Sequence, residues 1–102
     1  MYKVELHELA AKELEELPPR LLGLMLKLIS RLETEGQLTM PHSRKIGGGL
    51  FELRVGGTDI ARAMYCYAKG QHIYLLHAFV KKTQKTPAQA IKLARQRLED
   101  FQ

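Results

Sequence analysis

A single cysteine, Cys66, stands among the 102 residues, so the chain can close no disulfide within itself. That fits a reducing compartment, and a cytoplasmic protein is expected. Cys66 lies in the run MYCY, where a small buried hydrophobe is the expected role, not a reactive thiol. Long apolar runs are also missing. The most apolar stretch, residues 21–29, contains Lys27 and falls well short of the roughly 20 residues that a membrane span requires. The chain opens Met1-Tyr2-Lys3-Val4 and then turns acidic, which is not the pattern of a secretion signal. Repeats and low-complexity segments are absent.

Several chemistries lack their residues. His7, His42, His72 and His77 fall at no helical metal-pair spacing, and Cys66 has no cysteine partner, so neither metal nor cofactor is expected. Ser30 and Ser43 lie in no nucleophile-elbow context. The run Gly47-Gly48-Gly49 is followed by no G-K-[ST] and belongs to no dinucleotide fingerprint; a turn into the next strand is its expected role.

What is present is basic charge, unevenly placed. The net charge is +5; residues 1–41 carry −2, and residues 42–102 carry +7. This asymmetry points to an anionic partner, nucleic acid first. The length suits one domain.

The hydrophobic pattern predicts the elements. Residues 2–6 alternate as a short strand. Leu9, Leu14 and Leu17 mark a short helix that ends at Pro18-Pro19. The second proline opens a helix over residues 19–35, whose Leu21, Leu22, Met25, Leu28, Ile29 and Leu32 keep helical spacing, with Gly36 as its cap. Residues 37–49 read as a loop. Three strands follow over residues 50–55, 60–68 and 72–80, joined by turn chemistry at residues 56–59 and 69–71. The third strand is the most apolar and is expected at the centre. Thr86-Pro87-Ala88-Gln89 has the form of a capping box with proline at the first helical position, opening a helix to about residue 100. The fold class expected is α+β: an N-terminal strand, a helical hairpin, a three-stranded antiparallel meander joined by the first strand, and a C-terminal helix.

The strongest constellation is cationic. Arg54 and Arg62 flank a hairpin turn on neighbouring strands and can come close across the ladder; Lys81 and Lys82 follow the last strand, and Lys85 closes a polar basic turn. Such a patch suits a phosphodiester and the extra charge of its pentavalent transition state. In RNA the neighbouring 2′-OH supplies the nucleophile, so the protein needs only orientation, charge and a proton carrier. A plain solvated basic face, with Arg54 paired to Glu52 or Asp59, is the alternative to a functional patch. His77, in LLHAF, suits a hydrogen-bonded core histidine as well as a base.

The strings GGGLFELRV, ARAMYCY and IYLLHAFVKKTQKTPAQAIKLARQRLEDF occur in that order. They resemble the phage-type HigB branch of the RelE/ParE superfamily of type II toxin–antitoxin toxins, over residues 44–101. FELR, R-x-x-Y, LLHAFxKKTxKTP and A-x-x-R carry the resemblance; the segment before residue 40 agrees in pattern only. The resemblance implies a RelE-like fold and a ribosome-dependent endoribonuclease that cuts mRNA and inhibits translation. It implies an antitoxin with a helix-turn-helix domain as partner, operator DNA reached only through that antitoxin, and no membrane role. It assigns Arg54, Arg62 and Lys82 as catalytic cations. His77 is the expected proton carrier, with Glu52 the other candidate. Arg44, Lys45, Lys81, Lys85 and Arg95 complete the expected RNA-binding surface. The chain departs from RelE in two places: Glu52 and Arg54 stand where RelE has a lysine-rich strand, and Thr86-Pro87-Ala88 stands where RelE has a tyrosine. Asp100, near the C-terminus, is a further candidate base. A ParE-like gyrase inhibitor and a nucleic-acid-binding module without catalysis are the competing expectations.

Overall fold

The computed structural model describes residues 1–56, 60–81 and 86–102. In chain order the elements are β1 (Lys3–Leu6), α1 (Glu8–Glu15), α2 (Pro19–Glu35), β2 (Ser43–Gly47), β3 (Leu50–Gly56), β4 (Ile60–Ala68), β5 (His72–Lys81) and α3 (Ala88–Leu98), followed by a 3₁₀ turn at Glu99–Phe101. The expected α+β architecture is found. The turn expected at residues 56–59 lies, beyond Gly56, outside the described residues.

The strands form one sheet in the order β1-β5-β4-β3-β2. Three details differ from the sequence expectation. The segment 37–49, expected as a loop, contains β2, which pairs antiparallel with β3. Its residues Ser-Arg-Lys-Ile-Gly hold little apolar pattern because it is an edge strand, and basic side chains on an edge deter pairing with other chains. The sheet is mixed, since β1 pairs parallel with β5. Alternation marks a strand but carries no direction. The middle strand is β4, while the more apolar β5 lies between β4 and the short β1.

Helices cover both faces. The stripe Leu21, Met25, Leu28 and Leu32 of α2, with Ala10 and Leu14 of α1, packs on Leu53, Ala61, Ala63, Tyr65, Ile73, Leu75 and Ala78. On the other face Ala90 and Ala94 of α3 meet Leu50, Met64, Cys66 and Leu76. Cys66 is buried, as expected for a packing residue, and burial pushes its thiol pKa up.

Local chemistry sets the helix ends. Pro19 opens α2 at its first turn, where a missing N–H costs nothing. Gly36 closes it at φ 78°, its N–H donating to the Leu32 carbonyl. A Cβ on Gly36 would run into the Tyr2 ring. Gly36→Ala is therefore expected to lower stability by about 1–2 kcal/mol from the left-handed backbone alone, with displacement of Tyr2 added, read as a fall in the urea midpoint at unchanged m-value. The capping box expected at α3 does not form. Pro87 is the N-cap, no side chain caps the helix, and the Thr86 hydroxyl is used elsewhere.

Candidate active site

Residues directly opposed on neighbouring strands project to the same face, so the ladder register lays out the α3 face in rows. One row runs Arg44, Glu52, Met64, His77 across β2, β3, β4 and β5. The next runs Arg54, Arg62, Phe79, and Lys81 stands opposite Ile60 at the end of β5. The expected juxtaposition of Arg54 and Arg62 is found: they are cross-strand partners.

Glu52 organises these cations. It is fully buried, in a row otherwise made of long side chains. Arg44 Nη2 lies 2.9 Å from its Oε1, and Arg62 Nε lies 3.6 Å from the same oxygen. The Thr86 hydroxyl donates to Glu52 Oε2 at 2.8 Å and accepts from Arg44 Nη2 at 3.1 Å. A carboxylate surrounded in this way is committed to ion pairing and is not placed to carry a proton to substrate. Of the alternatives open at Arg54, pairing with Glu52 is not found. Arg54 Nη1 contacts Met40 Sδ, and Glu52 pairs with Arg44 and Arg62.

The positive charge exceeds what Glu52 neutralises. Burial lowers the pKa of Arg62, and the neighbouring charges of Arg54 and Arg44 lower it further against the pull of Glu52. Lys81, also buried, is lowered by burial first and then by Arg62, with Arg44 and Arg54 adding and Glu52 opposing. Among the described residues, the buried Nε atoms of Arg44, Arg54, Arg62 and Arg97 have no hydrogen-bond partner, and Arg62 Nε keeps only its 3.6 Å ion pair to Glu52. Neighbouring guanidinium groups on one row of the sheet suit the oxygens of a phosphate.

The other sequence candidates are dispersed. Lys45 is exposed, one residue off the Arg44 row and so on the opposite face of β2. Arg95 donates to the carbonyls of Gly47 and Gly48, tying α3 to the β2–β3 turn. Lys82 and Lys85 lie outside the described residues. Asp100 bonds His7 Nε2 at 2.6 Å, at the far end of α3 from Thr86; an 11-residue helix spans roughly 16 Å. His77 stays near the cations, one row from Arg62, but its immediate partners are Glu13 and Arg97. Sequence reading missed Glu13, Arg97 and Thr86. Glu13 lies 64 positions from His77, and no local pattern links them.

Beside the cations, between α2 and the β3–β4 hairpin, lies a groove of about 660 Å³. Leu24, Leu28, Val55 and Ile60 give it aliphatic walls, and Arg54 and Arg62 also line it. No group of three or more candidate metal ligands occurs among the described residues. No helix among them is long and apolar enough to cross a membrane.

Comparison with known structures places the fold in the RelE type. The chain superposes on a chain of the RelBE2 toxin–antitoxin complex from Mycobacterium tuberculosis with a TM-score of 0.61 at 21% identity, covering 78% of this chain and 98% of that one. It superposes on a double arginine-to-alanine mutant of the Escherichia coli toxin RelE in its free state with a TM-score of 0.70 at 13% identity, covering 95% and 97%. Residues 12–99 match the family model described as phage-derived protein Gp49-like (DUF891), and the chain belongs to that family. No curated protein matches the chain.

Proposed function

We propose that this protein is the toxin of a type II toxin–antitoxin system, of the HigB kind, and that it cleaves mRNA on the ribosome. The observation that carries this reading is the cluster of Arg44 and Arg62 on the buried Glu52 carboxylate, with Arg54 directly across the ladder from Arg62. Its charge and position suit one phosphodiester. The RelE-type fold and the Gp49-like family support the toxin assignment.

In this reading Arg54 and Arg62 bind the scissile phosphate, and Lys81, with Lys82 next in the chain, offsets charge as the pentavalent transition state develops. The 2′-oxygen of the preceding nucleotide attacks phosphorus and the 5′-oxygen leaves. The protein orients these atoms and moves the 2′ proton. Arg44, Lys45, Lys85 and Arg95 extend the contact along the RNA backbone.

The partner is an antitoxin, as in the M. tuberculosis complex, with a helix-turn-helix domain that carries the pair to operator DNA. An acidic amphipathic antitoxin segment suits the aliphatic groove, where it would cover Arg54 and Arg62.

Induced expression without antitoxin tests the function. Growth arrest is expected, with new mRNA 5′ ends in a translating extract that are absent from the same RNA without ribosomes. Intact mRNA together with inhibited DNA supercoiling would replace this reading by gyrase poisoning.

A further inference from the structure

His77 is held from two helices at once. Glu13 Oε1, from α1, lies 2.9 Å from His77 Nδ1 and also accepts the Ala78 N–H at 3.2 Å. Arg97, from α3, is bidentate to the same carboxylate, Nη1 to Oε1 at 2.7 Å and Nη2 to Oε2 at 2.8 Å. Arg97 Nη1 also donates to the Leu76 carbonyl at 3.0 Å. The imidazole stacks on Phe79, with ring centroids 4.7 Å apart, and Phe79 stands directly opposite Arg62.

These contacts select one tautomer. Burial pushes the Glu13 pKa up, but the hydrogen bonds from Arg97, His77 and the Ala78 N–H outweigh burial and hold it below the ordinary carboxylate range. Glu13 is therefore ionised near neutrality and can only accept. Arg97 Nη1 also lies 3.4 Å from Nδ1, but it is committed to Glu13 Oε1 and the Leu76 carbonyl at shorter range; a lone pair on Nδ1 would set two acceptors 2.9 Å apart, so the proton sits on Nδ1 and the lone pair on Nε2. Nε2 makes no hydrogen bond among the described residues, and the side chain keeps 12% exposure. Arg62 is one strand over and one row along, a diagonal of roughly 7–8 Å between Cα atoms, which long side chains bridge. Glu52, the other candidate proton carrier, is spent on its ion pairs.

We infer that Glu13, braced by Arg97, is a positioning residue that fixes His77 with Nδ1 protonated, and that His77 Nε2 is the base that takes the 2′ proton. The inference rests on the nuclease reading above. The proton passes from the 2′-OH to Nε2 as the 2′-oxygen bonds to phosphorus. The imidazolium is stabilised through Nδ1–H by Glu13, and the proton can return to the leaving 5′-oxygen. The charged groups that face His77 among the described residues are Glu13 from α1 and Arg97 from α3; β4 presents the apolar Met64.

Glu13→Gln gives a discriminating test. The glutamine oxygen is expected at the Oε1 place, where Arg97 Nη1, the Ala78 N–H and Nδ1–H all donate, so the tautomer is kept while the negative charge that stabilises the imidazolium is lost. Cleavage of mRNA on programmed ribosomes is expected to lose about 10²-fold or more in kcat with KM within about twofold, and Glu13→Asp should restore part of the loss. The acidic limb of the kcat–pH profile, set by His77, should move in Glu13→Gln and vanish in His77→Gln. Nitrogen NMR of the free protein should show neutral His77 protonated on Nδ1 in the wild type, a readout independent of activity. Wild-type His77 protonated on Nε2, or unchanged kcat in a folded Glu13→Gln chain, overturns the inference and leaves the nuclease reading standing. A folded wild-type chain that cleaves no ribosome-bound mRNA overturns both. If Glu13→Gln does not fold, His77→Gln decides the base: retained kcat overturns it.

Discussion

Arg62→Ala is expected to reduce ribosome-dependent mRNA cleavage by about 10²–10³-fold and to abolish growth arrest, the range seen when one preorganised donor to a transition-state oxyanion is removed. Arg62 is 4% exposed, opposes Arg54 across the β3–β4 ladder, and has an Nε without a hydrogen-bond partner. Its guanidinium is thus desolvated and crowded by like charge before substrate arrives, as its lowered pKa reflects. A phosphate would relieve both conditions. Loss of Arg62 should be tolerated by the fold, because Glu52 keeps Arg44 at 2.9 Å and the Thr86 hydroxyl at 2.8 Å. Thermal unfolding of Arg62→Ala should therefore stay close to the wild type while cleaved 5′ ends disappear. Arg62→Lys should be intermediate, since it keeps the charge but loses the planar fork. Undiminished cleavage by a folded Arg62→Ala chain would remove the cluster from the mechanism.

Glu52→Ala carries the largest expected effect on stability. Glu52 is fully buried on β3 and is the carboxylate that Arg44 and Arg62 share. Removing it leaves Arg62 beside Arg44 and Arg54 with no compensating anion among the described residues, and takes away the acceptor of the Thr86 hydroxyl. Breaking one side of a buried pair in this way costs about 3–5 kcal/mol. For a domain of this size that corresponds to a fall in Tm of roughly 12 °C or more, measurable by calorimetry. Glu52→Gln keeps an acceptor for Thr86 and should lose less. Inorganic phosphate should recover part of the Glu52→Ala loss, because an anion bound only by the folded state stabilises it by mass action. A Glu52→Ala chain as stable as the wild type would mean that the cations are held apart by other means.

Much of the site was legible because its residues are local in sequence. Arg54 and Arg62 flank one hairpin, so their closeness was legible, while their direct opposition is set by the register, with Gly56 paired to Ile60. The two helices of the hairpin were legible from the spacing of Leu21, Met25, Leu28 and Leu32 and from Pro19 and Gly36 at the ends. The strand β2 was not. Its Arg44 and Lys45 look like loop residues, and pairing with Leu53, Glu52 and Phe51 is what makes them a strand. Thr86 looked like a helix cap because the capping pattern is local, whereas a buried carboxylate 34 positions away claims its hydroxyl. Glu13 meets His77 only because α1 packs against β5, which no local pattern shows.

The chain by itself determined most of its elements, its basic second half and the closeness of Arg54 and Arg62 on one hairpin, because periodicity and turn residues act over a few residues. Tertiary structure alone decided that Glu52 is the buried counter-charge and not a free base. It also set Arg44 beside Glu52 from an edge strand, and joined Glu13, His77 and Arg97 from α1, β5 and α3. Those pairings depend on which faces of distant elements meet, and burial then raises the cost of leaving any of these charges alone.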